Sequence, residues 1–219
     1  MKYFNLHTHE FSAQKNVLEL VNQYPLDFDS TIPYYSIGIH PWRINEANIE
    51  NELAIIESKL NSEKCLAVGE CGLDKKIEID FDLQMKVFEM QLQLAEKYKK
   101  PVVIHCVGAF QELIAIKKRF NISVPLIIHG FSKKAQTAQQ LIENGFYLSF
   151  GKSLLRNPKL EAVFQSIPND RFFLETDAIK EGIEQVYILA AKYKKLNIED
   201  LQLLVNNTIT TVFNWKDKE

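Results

Sequence analysis

The sequence predicts an α/β protein, a (β/α)8 TIM barrel with reduced first crossovers and an extra C-terminal helix. Short β-branched or aromatic runs alternate with longer amphipathic stretches, which is the pattern of βα units on a parallel sheet. The length of 219 residues suits a barrel of one domain, and a hydrophobic content of 46% is enough for one sizeable core. We therefore expect a single domain over residues 1–219.

Eight strands are predicted from the short apolar runs. They cover residues 3–8, 17–22, 34–39, 65–70, 101–105, 124–128, 146–150 and 171–176. The intervals between the first three strands are too short for a usual crossover helix, so we expect loops and turns there. A doubly wound open sheet is the alternative.

Apolar residues at helical spacing predict the helices. From Phe81 to Ala95 they recur at the i, i+4, i+7 positions of one buried face. Further helices are predicted over residues 45–60, 109–120, 133–144, 158–167, 181–195 and 198–213. Asn197 is predicted to cap the last of them.

Charge and composition exclude several classes of protein. A formal net charge of −2 argues against a dedicated nucleic-acid-binding module, although a local basic patch can still hold a phosphate. Three cysteines are too few for a disulfide framework, which favours a reducing, cytoplasmic location. No apolar run is long enough for a membrane span, so we expect no membrane association.

The rare polar side chains fall at the ends of predicted strands. All five histidines do so, together with two acids; the set is His7, His9, His40, Glu70, His105, His129 and Asp177. The carboxyl ends of barrel strands converge on one rim, where active sites are built. Side chains alternate along a strand, so the two histidines of the HxH stretch point to the same side.

These residue types predict a metal centre. Four histidines and two carboxylates exceed what one ion needs and suit two divalent ions, with zinc, manganese or magnesium as candidates. Two such ions bridged by a carboxylate and a water generate hydroxide at neutral pH and clamp the reacting oxygens. A lone HxH pair is a weak signal. The prediction depends on the convergence, because such groups are costly to bury unless they satisfy one another or a cation.

Other residues are expected to support this centre. His40 precedes Pro41 and Trp42, a rigid turn with an aromatic lid, so we expect it to contact a ligand residue or the substrate rather than bind metal. Lys133 and Lys152 follow strand ends and are candidates for holding a phosphate, with ordinary solvated lysines as the alternative.

A buried acid is predicted below the rim. Glu175 shares strand parity with Asp177, so it should point inward one layer lower. Asn5, which shares parity with His7, is expected to donate a hydrogen bond to it.

Six stretches together resemble the TatD family of metal-dependent hydrolases, within the amidohydrolase superfamily of TIM barrels. They are "NLHTH", "SIGIHPW", "VGECGLD", "KPVVIHC", "LIIHGFS" and "FFLETDA", in the family's order from residue 5 to residue 177. The resemblance implies divalent-metal-dependent cleavage of phosphodiester bonds, most often of the deoxyribonuclease type. The partner it implies is a phosphodiester substrate such as DNA.

The resemblance also implies roles for the site residues. His7 and His9 would bind one ion with Asp177, while His105 and His129 would bind the second and Glu70 would bridge the two. In this scheme Asp177 also orients or deprotonates the attacking water.

Three departures from the family pattern concern the substrate more than the metals. Asn5 replaces the acid of the family's DxHxH motif, Val107 stands where an arginine is frequent, and "AIKEGIEQVY" replaces a proline-rich loop. Two alternatives stay open. One is a metal-dependent amidohydrolase or deacylase, for example of the D-aminoacyl-tRNA deacylase type, and the other is a barrel that binds metal but has lost catalysis.

Overall fold

The computed structural model describes residues 2–214, and its strands and helices alternate for most of that length. The strands are β1 (Tyr3–Thr8), β2 (Val17–Gln23), β3 (Tyr35–Ile37), β4 (Cys65–Asp74), β5 (Val102–Val107), β6 (Leu126–Ile128), β7 (Phe146–Phe150) and β8 (Phe172–Leu174). The helices are α1 (Ile49–Leu60), α2 (Phe81–Tyr98), α3 (Phe110–Arg119), α4 (Ala135–Glu143), α5 (Lys152–Arg156), α6 (Leu160–Ser166), α7 (Ile183–Lys194) and α8 (Ile198–Phe213).

The eight strands form one sheet whose order, β1 to β8, is the order of the chain. A doubly wound sheet reverses its strand order at a switch point, so this arrangement confirms the barrel class over the alternative. The reduced first crossovers are also confirmed. Within residues 2–214, no helix joins β1 to β2, and only a 3₁₀ turn, Pro25–Asp27, lies between β2 and β3.

Several strands and one helix differ from the prediction. β4 continues to Asp74, four residues past the predicted end, since all ten of its residues are buried and it pairs with β5 as far as Val107. β3, β6 and β8 are only three residues long. The short helix α5 was not predicted, whereas the cap at Asn197 is confirmed, because its side chain accepts a hydrogen bond from the Asp200 amide.

The chain divides into two compact units, of which we describe only the residues between 2 and 214. One comprises Met1–Leu20 and His129–Glu219, and the other comprises Val21–Ile128. The prediction of a single domain over residues 1–219 stays a prediction. Among the described residues, no helix combines the length and apolar character that crossing a membrane requires.

Aromatic rings dominate the core of the first unit. Phe164 packs edge-on against Phe150 and Phe172, with ring centroids 5.0 and 4.8 Å away. The buried hydroxyl of Tyr187, on α7, donates to the carbonyl of Phe4 at 3.1 Å and accepts from its amide at 3.2 Å. These contacts fix α7 against β1, the strand that carries His7.

In the second unit, α2 covers β4 with a buried face that includes Val87, Phe88 and Leu92. A polar residue on the same face, Gln91, has a structural role. It accepts from the Ile39 amide at 2.8 Å and donates to the Ile39 carbonyl at 3.2 Å. The backbone just before His40 is thereby held where no strand partner is available.

Candidate functional site

Backbone hydrogen bonds place Asp177 beside the HxH pair in the first unit. The Asp177 amide donates to the His7 carbonyl at 2.9 Å, and the His9 amide donates to the Asp177 carbonyl at 3.3 Å. Asp177 has a φ of +56°, in the left-handed region that aspartate tolerates better than most residues. The side chain of Asp177, which is remote in sequence, therefore lies beside those of His7 and His9.

The three side chains form a compact set of ligand atoms. The Nε2 atoms of His9 and His7 lie 3.3 and 3.9 Å from Oδ1 of Asp177, and one ligand atom from each residue lies within 4.8 Å of the others. His7 is fully buried, whereas His9 and Asp177 are partly exposed. Two imidazoles and a carboxylate in this arrangement can hold one divalent cation and leave it open to solvent on one side.

The charge state of Asp177 suits this role. Burial alone would raise its pKa, but the hydrogen bond from His9 and the electrostatic effect of the neighbouring His7 and His129 outweigh burial and lower it. The carboxylate is therefore ionised at neutral pH and available as a ligand.

His129 lies beside the same group in this unit. Its ring centroid is 4.4 Å from that of His7, and its Nδ1 lies 3.5 Å from Oε1 of Glu175. Glu175 is buried and also accepts a hydrogen bond from the Gly130 amide at 2.8 Å. The carboxylate therefore lies behind the imidazole, where it is close enough to influence the orientation of the ring.

The predicted pairing of Asn5 with Glu175 is wrong. Asn5 instead bonds twice to Thr176, donating from Nδ2 to Oγ1 at 2.8 Å and accepting from the Thr176 amide at 3.0 Å. β8 ends at Leu174, so strand alternation no longer governs where residues 175–177 point. An amide can also satisfy a donor and an acceptor of one residue at once, which Thr176 offers.

A second cluster, in the second unit, surrounds Glu70. This acid lies within β4 and not at its end as predicted, and its amide donates to Oδ1 of Asn22 at 2.7 Å. Its Oε1 lies 3.1 Å from Nε2 of His40 and 3.0 Å from Nδ1 of His105. Glu70 is almost wholly buried, so its charge requires such partners.

The tautomer of His40 follows from its other nitrogen. Nδ1 accepts a hydrogen bond from the Trp42 amide at 3.1 Å, which requires a lone pair there. A neutral ring then carries its proton on Nε2, where it donates to Glu70. One ligand atom each of His40, Glu70 and His105 lie within 4.8 Å of one another, and the hydrogen bond at Nδ1 favours His40 as a hydrogen-bond donor to Glu70 over His40 as a metal ligand.

Sequence reasoning missed Asp74, the last residue of β4. Its Oδ2 lies 3.2 Å from Nε2 of His105 and accepts from the Trp42 indole at 2.8 Å, while Oδ1 accepts from the Lys76 amide at 2.8 Å. Burial would raise its pKa, but these three hydrogen bonds and the charge of His105 lower it overall. The sequence does contain a signal for it: Asp74 follows Glu70 by four residues in "GECGLD", so the two side chains point to the same face if the strand continues that far.

The two predicted phosphate-binding lysines are both exposed, in the first unit. Lys133 follows β6 and lines a cavity of about 610 Å³ together with Lys134 and Lys159, whereas Lys152 begins α5. Their positions after strand ends agree with the prediction, but whether they bind substrate stays a prediction.

The strand order of a barrel and the two histidine–carboxylate clusters are features of the class of barrel hydrolases that depend on divalent metals. The chain belongs to the TatD-related DNase family, whose model matches residues 2–211. It is 35% identical over 164 residues to YabD of Bacillus subtilis, described as an uncharacterized metal-dependent hydrolase. It is 34% identical over 172 residues to the 3′-5′ ssDNA/RNA exonuclease TatD of Edwardsiella piscicida.

These matches cover 73% and 76% of this chain but only 62% and 63% of the two relatives, so the chain spans less than two thirds of each. Among solved structures, YjjV, a TatD homologue from Escherichia coli, superposes with a TM-score of 0.84 at 21% identity and 98% coverage of both chains. A TatD-family hydrolase from Entamoeba histolytica gives 0.82 at 16% identity, covering 97% of this chain and 98% of its own. Both likenesses establish the fold.

Proposed function

We propose that the protein hydrolyses phosphodiester bonds with the help of two divalent metal ions, and that its substrate is a nucleic acid such as DNA. The observation that carries the proposal is the pair of histidine–carboxylate clusters, one in each unit. Relatives named as metal-dependent hydrolases and as a 3′-5′ ssDNA/RNA exonuclease support it.

The donor chemistry of His105 fits a cation. Its Nε2 faces the carboxylate of Asp74, which only accepts, so that nitrogen carries a proton. In a neutral ring Nδ1 then has a lone pair that faces Oε1 of Glu70, 3.0 Å away. Nδ1 of His105 and Oε1 of Glu70 would then repel each other unless a positive charge lies between them. Either a proton or a divalent ion can supply that charge.

The ligand assignment rests on this chemistry and on the family resemblance together. In our proposal His7, His9 and Asp177 would hold one ion, His105 and His129 would hold the other, and Glu70 would be a ligand of both. Zinc and manganese suit so many imidazoles better than magnesium does. When bound, the ions supply an acidified water and stabilise the charge that develops on the phosphate.

The remaining residues act on these ligands or on the substrate. Asp177, ionised at neutral pH, accepts the proton of the attacking water. His40 donates to Glu70 and keeps that carboxylate oriented, and Glu175 does the same for the ring of His129. Lys133 and Lys152 contribute positive charge for the substrate phosphates.

Metal analysis, chelation and add-back test the proposal directly. The purified protein should contain close to two divalent ions per chain. Chelation should abolish cleavage of bis(4-nitrophenyl) phosphate and of a short oligodeoxynucleotide, and Zn²⁺ or Mn²⁺ should restore it. Cleavage of acyl esters or amides, without phosphodiester cleavage, would instead show a deacylase on the same ions.

A variant pair tests the role of Glu70. Glu70→Gln should lower phosphodiesterase activity by at least a hundredfold while the far-UV CD spectrum stays unchanged, because the amide cannot serve as a bridging anion. Glu50→Gln, an exposed residue in the first turn of α1, is the matched control and should keep wild-type activity. Near-wild-type activity in Glu70→Gln would refute the assignment.

A cytoplasmic location is also part of the proposal, supported by three cysteines that are all free thiols. Subcellular fractionation of the producing cell tests it, and recovery outside the cytoplasm would contradict it.

A further inference from the structure

Trp42 is the most exposed large hydrophobic side chain in the described part of the chain, with 61% of its surface accessible. Exposure of a single apolar residue needs no explanation by itself. What distinguishes Trp42 is that the ring is exposed and yet held in one orientation beside the Glu70 cluster.

The indole is held through its edge. Its Nε1 donates to the buried carboxylate of Asp74 at 2.8 Å. The ring also forms T-shaped contacts with two imidazoles, with centroids 5.2 Å from that of His40 and 5.7 Å from that of His105. Despite these contacts, 61% of the surface of Trp42 stays accessible.

The backbone of Trp42 is fixed as well. It lies in the 3₁₀ turn Pro41–Arg43, where its amide donates to His40 and the Arg43 amide donates to the His40 carbonyl at 2.9 Å. The Arg43 guanidinium pairs with Asp27 at 2.8 Å and lies 3.7 Å from the centroid of the Tyr24 ring. The turn is therefore anchored on both sides of the tryptophan.

We infer that Trp42 is a stacking platform for a nucleobase of the substrate, next to the phosphate that is cleaved. The inference rests on the proposed function and deepens it. A rigid aromatic surface beside the metal ligands offers a flat heterocycle contact area without the entropy cost of ordering a loop. Stacking on aromatic side chains reads no particular base, and the indole can cover the face of a base only where no neighbouring base pair already covers that face. The expected substrate is therefore a nucleotide in a single strand or at the end of a strand.

The test compares ligands that differ only in the base. Thymidine 5′-monophosphate and deoxyribose 5-phosphate offer the same phosphate and sugar to the metal-loaded protein, and neither contains a phosphodiester. Stacking on an aromatic side chain corresponds to about a 5- to 150-fold change in affinity. We expect the wild type to prefer the nucleotide by that factor, and Trp42→Leu to lose the preference while its affinity for deoxyribose 5-phosphate stays the same.

Two further variants sharpen the result. Trp42→Phe keeps an aromatic face and should retain most of the preference, whereas Phe120→Leu, a partly exposed aromatic residue at the end of α3, is the matched control and should retain all of it. In Trp215→Phe, which leaves Trp42 as the sole tryptophan, the nucleotide should quench the fluorescence and deoxyribose 5-phosphate should not.

The outcomes separate this inference from the proposed function. Equal affinity of the wild type for the two ligands, or equal losses for both ligands in Trp42→Leu, would overturn the platform. A preference for the nucleotide in a protein that cleaves no phosphodiester would leave the platform standing and refute the hydrolase proposal.

Discussion

Replacing Asp74 by asparagine should weaken both folding and metal binding, because this carboxylate serves three donors with two oxygens. Oδ2 faces the Trp42 indole and His105, and Oδ1 faces the Lys76 amide. An asparagine has one acceptor oxygen and one NH₂ group, so it cannot present an acceptor to both sides. In either orientation one N–H group meets another.

The magnitude follows from the better of the two orientations. If the amide oxygen of the substituted side chain faces Trp42 and His105, only the Lys76 amide is left without its acceptor, at a cost of about 1–3 kcal/mol. The bonds to Trp42 and His105 also lose the strengthening that a charged acceptor gives. We expect a loss of about 1–3 kcal/mol in the free energy of unfolding, or roughly 2–12 °C in Tm for a chain of this size. Loss of a carboxylate behind a metal-binding imidazole should weaken metal affinity by about 10- to 100-fold.

Denaturant unfolding and a metal titration by isothermal calorimetry measure the two effects. Asp29→Asn is the matched control: Asp29 is exposed and accepts from the Thr31 amide and hydroxyl through a single oxygen, which an asparagine can reproduce.

The pKa of Asp74 is lowered in the folded protein, so its stabilising effect is present above the ordinary aspartate value of about 3.9 and is lost as pH falls through the folded value. The difference between wild type and Asp74→Asn should therefore be full at about pH 7 and shrink below about pH 4. Equal metal affinity in both proteins, or an equal loss in Asp29→Asn, would refute the reasoning.

Three further predictions concern stability and pH. Tyr187→Phe should cost about 1–3 kcal/mol in denaturant unfolding because it leaves the amide and carbonyl of Phe4 without their partner, whereas Tyr98→Phe, at a partly exposed hydroxyl, should cost less; equal costs would contradict this. Gly38→Ala would place a Cβ 2.8 Å from the β4 backbone and should destabilise by about 1–3 kcal/mol, while Gly182→Ala, with nothing within 4 Å of its Cβ, should stay close to wild type in the same measurement. Metal affinity, followed by titration calorimetry, should fall below about pH 6, since imidazole must be deprotonated to bind and its ordinary pKa is about 6.5; a flat profile to about pH 5 would count against histidine ligands.

The fold class could be predicted because its signals are local. A short apolar run predicts each strand, and the alternation of strands and helices predicts the order of the sheet. The histidines were informative for the same reason, since each one lies at or near the end of such a run. The metal ligands themselves stay a prediction.

Asp74 and the partner of Asn5 could not be predicted in the same way. The first depends on how far β4 continues past Glu70, which is decided by pairing with β5. The second depends on where β8 ends, because alternation fails once the strand stops at Leu174. Strand ends are set by tertiary contacts, so the sequence pattern does not predict the direction of side chains just beyond them.

His40 and His105 show why residue type alone does not assign a metal ligand. Both rings approach the same oxygen of Glu70, at 3.1 and 3.0 Å. Their other nitrogens differ, because one faces a hydrogen-bond donor and the other faces an acceptor. The Nδ1 of His40 meets an N–H donor, so its Nε2 carries a proton toward Glu70. The Nε2 of His105 meets the acceptor Asp74, so its Nδ1 turns a lone pair toward Glu70. One ring therefore donates a hydrogen bond to the carboxylate, and the other is placed, in the proposed function, to share a cation with it. The hydrogen bond on the far nitrogen therefore predicts which of the two histidines binds metal.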